Sequence, residues 1–186
     1  MPKLFMLLLG ASPQGRHTEQ HDVFFGIGEE LKDLVPAIYT FWPEAKEKIH
    51  IDAWREVTSV NGHSVEVAPR TNEDVSAEHA SRLFFINLGG YKSGEFDEYH
   101  YKMILACPGK GIAVQEAKQT AFYKHTGFDG ANSHIDDKYG VDVDDLYEIG
   151  DILAGETKER FSIVVNPGRG GPDDELHLGY FKLDKL

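Results

Sequence analysis

KLFMLLLGASPQG, residues Lys3 to Gly15, reads either as the start of a secretory signal or as the first strand of a folded domain. The choice decides the architecture, and the chain points to a strand because it writes the stretch twice. RLFFINLGGYKSGEFDEYH, from Arg82, lies without a gap beneath KLFMLLLGASPQGRHTEQH, from Lys3. Leu4, Phe5, Leu9, Gly10, Gly15, Glu19 and His21 meet Leu83, Phe84, Leu88, Gly89, Gly94, Glu98 and His100, each 79 positions on (83 − 4). A cleaved leader has no reason to recur in mid-chain, and the apolar run Leu4 to Leu9 is shorter than a signal requires.

The register continues outward if small insertions are allowed. His50-Ile51-Asp52 reappears as His134-Ile135-Asp136, and Arg55-Glu56-Val57 resembles Tyr147-Glu148-Ile149. Two copies are too few for a solenoid, so the pattern predicts duplication into a pseudo-twofold pair. Residues 1–67 form the first repeat, the polar segment 68–82 a linker, and 83–186 the second repeat, with LHLGYFKL from Leu176 as an added edge strand.

Within a unit, LFMLLL and LFFINL are apolar runs ended by glycine, which suits buried strands. Glu19, His21, Val23, Phe25 and Ile27 alternate along a second strand. Leu31, Leu34, Val35 and Ile38 have helical spacing over Glu29 to Phe41, with Pro36 expected to kink or shorten the helix. The matching helix runs from Ile112 to Lys124, with Val114, Ala117 and Ala121 inward. REVTSV and HSVEV flank Asn61-Gly62, a hairpin turn of type I′. YEIGDIL and RFSIVV, linked by AGETKE, are the corresponding hairpin in the second half. The sum is an α+β fold of two pseudo-symmetric ββαββ repeats with mainly antiparallel sheets.

Composition narrows the partners. With 19 Lys and Arg against 31 Asp and Glu, the formal charge of −12 repels phosphate backbones and anionic lipid, so neither nucleic acid nor a membrane surface is expected as a partner. The lone Cys107 cannot form an internal disulfide, which places the chain in the cytoplasm, and a buried inert thiol is the expectation for it. An internal duplication imitates a homodimer within one chain, which favours a monomer.

Chemistry concentrates in the repeated polar pairs. Residues two apart on a strand point the same way, so Glu19 with His21, and His50 with Asp52, each present a carboxylate and an imidazole to one side. Glu98, His100, His134 and Asp136 are their counterparts. Imidazole with carboxylate is ligand chemistry for Zn, Mn or Fe, and these eight residues are the candidate metal ligands. The same residues also fit a structural network of His–carboxylate hydrogen bonds, or metal-free acid/base work. Whether the protein is an enzyme is left open. PGRGGPDDE lacks the Lys-Ser/Thr ending of a phosphate loop.

TEQHDVFFGIG followed by FWPEAKEKIHIDAWREVTSVNGHSVEV resembles the bacterial domain-of-unknown-function 1543 family, through Gly10, Glu19, His21, Asp22, His50, Asp52 and Trp54. The resemblance implies a duplicated architecture over nearly the whole chain apart from the tail, and carries no activity. The second copy departs from it at Tyr101, Asp137 and Lys138, so the halves are not expected to be equivalent. Two functions follow: a divalent-metal or small-molecule site, or a non-enzymatic binding or structural module braced by these clusters.

Overall fold

The computed structural model describes residues 1–45, 48–71, 80–91, 95–125 and 142–186. The fold is α+β, strand-rich, and every strand pair among the described residues is antiparallel. The chain divides into two units, Met1–Val75 with Ile152–Leu186, and Ser76–Asp151.

The first unit is built on β1 (Lys3–Ala11). Its odd-numbered residues Phe5, Leu7, Leu9 and Ala11 form one core with Phe24, Ile51, Leu34 and Ile38. β1 lies between β2 (Gln20–Gly28) and β3 (His50–Glu56), and β10 (His177–Lys182) closes the sheet in the order β10-β3-β1-β2. A 3-10 turn at Leu31–Leu34 runs into α1 (Val35–Phe41), so the expected helix arrives in two parts. Pro36 sits in the first turn of α1, where its missing N–H has no partner to lose. Leu34 and Ile38, one helical turn apart, carry the buried stripe.

The Asn-Gly turn takes the predicted form, with φ of 35° at Asn61 and 83° at Gly62. It joins β4 (Ser59–Val60) to β5 (His63–Pro69), and β5 pairs in turn with β9 (Phe161–Pro167). The segment before β10 is strapped to this hairpin. Asp174 Oδ1 accepts from Thr58 N at 3.0 Å, Thr58 Oγ1 at 2.6 Å and Ser59 N at 3.1 Å, while Gly170 N donates to Gly62 O.

The second unit places β6 (Arg82–Tyr91) between β7 (Glu98–Cys107) and β8 (Asp142–Glu148). α2 (Lys110–His125) packs on it through Ala113 and Ala117, small residues at i and i+4 that let the helix lie close to Phe84, Ile86 and Leu88. Ala113, rather than the expected Val114, leads the buried stripe.

Two expectations are corrected. The C-terminal strands belong to the first unit: β9 pairs with β5 and β10 with β3, so 83–186 is not one repeat. The second-half hairpin does not form, because IGDI is helical as α3 (Ile149–Ile152) and GETKER as α4 (Gly155–Arg160). The local sequence GETKER favours this, with Glu156 in the first turn and Lys158 and Arg160 in the last complementing the helix dipole. Beside β6, β8 runs from Asp142, and the His134-Ile135-Asp136 match lies outside the described residues. Among the described residues no helix is long and apolar enough to cross a membrane.

Candidate functional site

Backbone register brings the first polar cluster together. Gly10 on β1 is the partner of His21 on β2 and of His50 on β3, and directly opposed residues in an antiparallel sheet face the same side. A bulge follows: Leu8 pairs with Ala53 but Leu9 with Ile51, so Asp52 is the extra residue on β3. Such a bulge re-aims a side chain. Here it leaves Asp52 against both imidazoles.

The contacts form a closed ring. His50 Nε2 lies 3.2 Å from Glu19 Oε1 and 3.2 Å from Asp52 Oδ1. His21 Nε2 lies 3.1 Å from Asp52 Oδ2 and 3.7 Å from Glu19 Oε2. Each carboxylate therefore offers one oxygen to each imidazole. His50 is buried, at 4% exposure, while Glu19 and His21 are more than two-fifths exposed, so the ring is closed below and open above.

Two details set its chemistry. His50 Nδ1 lies 3.3 Å from the carbonyl oxygen of Lys48, and in the tautomer protonated at that nitrogen Nε2 presents its lone pair to the cluster. Asp52 Oδ2 is buried with no hydrogen-bond partner, its 3.1 Å approach to His21 lacking hydrogen-bond alignment. In that tautomer of His50 an acceptor faces acceptors, an arrangement that calls for a positive charge among them: an added proton or a bound cation. Gly10 is what makes room. A Cβ there would stand 2.5 Å from His50 Nε2 and closer still to Asp52 Oδ2. Among the described residues, no group of three or more His, Cys, Asp or Glu side chains is preset to hold a metal ion.

Sequence reading missed the outer wall. Tyr180 on β10 packs its ring 4.2 Å from that of His50, and His177 stacks on Trp54 at 3.8 Å. No local pattern in LHLGYFKL announces that this strand pairs with β3.

The second cluster differs. Gly89 pairs with His100 as Gly10 does with His21, and the β6–β8 bulge falls between Asn87 and Leu88, at the positions equivalent to Leu8 and Leu9. His100 Nε2 and Glu98 Oε2 are 3.9 Å apart. Asn87, where the first copy has Leu8, lies 3.3 Å from His100 Nδ1 and donates to Asp145 Oδ2 at 3.2 Å. The residue paired with Gly89 on β8 is Asp142, as His50 is paired with Gly10. His134 and Asp136 lie outside the described residues. Cys107 is buried, which pushes its thiol up from the ordinary value, although Sγ also contacts the Gly109 carbonyl oxygen at 3.4 Å.

Residues 16–67 match the model of the family described as Domain of Unknown Function (DUF1543), the stretch that holds Glu19, His21, His50 and Asp52, and the resemblance read from those residues is borne out. The chain is similar in fold to the crystal structure of a protein Il1583 from Idiomarina loihiensis, with a TM-score of 0.65, 19% identity and 98% of each chain covered. At that identity the likeness speaks to the fold alone. No curated protein matches the chain.

Proposed function

We propose that Glu19, His21, His50 and Asp52 bind a divalent cation in the first unit, and that the protein acts through this site. The observation that carries the reading is the convergence of His50 Nε2, with Nδ1 held by the Lys48 carbonyl, on two carboxylates 3.2 Å away. His50 and Asp52 are set by β3 and its bulge. Glu19 and His21, half exposed, are free to turn and complete the coordination. Two imidazoles and two carboxylates suit Zn, Mn or Fe rather than Mg or Ca. The single cysteine and the charge of −12 support a cytoplasmic protein that does not engage nucleic acid, and the internal sequence duplication supports a monomer.

A second reading is a structural network, in which a protonated imidazole ties the four side chains and braces the sheet. The approach of both imidazoles to both carboxylates, at 3.1 to 3.7 Å, favours it. Elemental analysis of untagged protein separates the two, alongside the variant His21→Ala/His50→Ala. Near-stoichiometric Zn, Mn or Fe that disappears in the variant supports the cation site. Protein that takes up none of these ions, even on titration, while the variant loses thermal stability, overturns it in favour of the network.

A further inference from the structure

Beside the cluster, sharing Tyr180 with it, lies a separate pocket of about 440 Å³. Its walls are Tyr39, Tyr180, Lys48, Lys182 and Asp184, over the buried Ile49 and Leu183. Lys48 and Lys182 have no ion pair with a described residue, whereas Lys3 and Lys32 are paired with Glu56 and Glu30, and Asp184 has Lys185 at 3.8 Å. Among the described residues, two lysines line this concavity against one carboxylate, Asp184, which Lys185 already pairs, and that leaves it locally positive on a molecule of net charge −12. Two exposed tyrosine rings stand beside them, Tyr39 at 39% and Tyr180 at 64% exposure. Such a wall gains by covering a flat apolar surface.

We infer that this pocket binds a small organic anion with a flat ring, its charged group held by Lys48 and Lys182 and its ring against Tyr39 and Tyr180. The pocket stands by itself, whether or not a cation occupies the neighbouring cluster. A carboxylate and a phosphate offer the same charge to lysine, a point donor without Arg-like geometric preference. The shared feature is therefore an anionic head on an aromatic body.

The test uses the full chain stripped of metal by a chelator and dialysed free of it. Benzoate and phenyl phosphate are titrated separately by ligand-observed NMR, with neutral benzamide as the control. At least one anion should bind below about 10 mM, and benzamide at least about tenfold more weakly, the difference made by one charge-assisted contact. Lys48→Gln and Lys182→Gln should each weaken the anion about tenfold while leaving the melting temperature unchanged. Which anion binds better identifies the head group. The proposal is overturned if neither anion binds, if benzamide binds as well, or if both lysine variants bind like the parent protein. Cation uptake measured on the same samples keeps the two readings apart. Anion binding without any cation uptake would remove only the metal site, and uptake without anion binding only the pocket.

Discussion

Gly10 concentrates the logic of the site in one residue. It is the common partner of His21 and His50, and the space above it is filled by His50 Nε2 and Asp52 Oδ2. Gly10→Ala forces those atoms apart, and because His50 is buried and tied to Lys48 it cannot simply swing away. The expected cost is about 1–3 kcal/mol, the usual penalty of overpacking, together with loss of cation uptake. Chemical denaturation and equilibrium dialysis measure both. A variant that matched the parent in stability and uptake would show that the cluster does not depend on this clearance. Glu19, His21, His50 and Asp52 were legible in the sequence because period-2 spacing survives on strands, and repetition marked them out. The bulge at Asp52, the tether from Lys48 and the cover from Tyr180 were not, since all three depend on the path of a backbone that spacing does not encode. Asn87 in the second unit was hidden for a related reason. It takes a leucine position in the alignment, and its contact with His100 becomes visible only across the β6–β7 pair.

At the scale of elements, the Asn61-Gly62 hairpin was readable outright, because a two-residue turn with both φ positive is written in its own residues. The strap that holds it was not. Asp174 comes from a stretch of glycine, proline and acid that reads as a loop, yet its side chain is 2% exposed and takes three hydrogen bonds from Thr58 and Ser59. Its second oxygen has no hydrogen-bond partner, with Arg55 Nη1 4.0 Å away. Asp174→Ala strips the acceptor from two backbone N–H groups and a hydroxyl, for an expected loss of about 2–3 kcal/mol. Asp174→Asn keeps one accepting oxygen and should lose less. Urea melts rank the pair. Equal losses would mean that the side chain acts through packing and not through these bonds. The AGETKE stretch is ambiguous in sequence for a simpler reason: a six-residue helix and a polar hairpin loop draw on the same residues, and tertiary placement decides between them.

The whole molecule is organised differently from the sequence repeat. Reading along the chain, the halves meet near the polar segment 68–82, and everything after it belongs to the second. In space the chain returns, and β9, β10 and Leu183 complete the first unit. The repeat shows which segments look alike but is silent on which edges they join, and an edge strand with no counterpart carries no register to read. Both tryptophans, Trp42 and Trp54, pack on the core of the first unit, with Trp54 stacked on His177, so tryptophan emission reports on that unit by itself. A chain ended at residue 175 lacks β10 and Leu183, leaving the outer edge of β3 and the ring of His50 uncovered. Its emission should move to longer wavelength, its thermal transition should broaden or vanish, and cation uptake should fall, because His50 loses the wall that Tyr180 supplies. A chain ended at residue 151, also without β9, should be worse still. If instead the 1–151 chain melted cooperatively with native emission, the first repeat would be complete without the returning strands, and the site would need no more than the contiguous segment that holds its four residues.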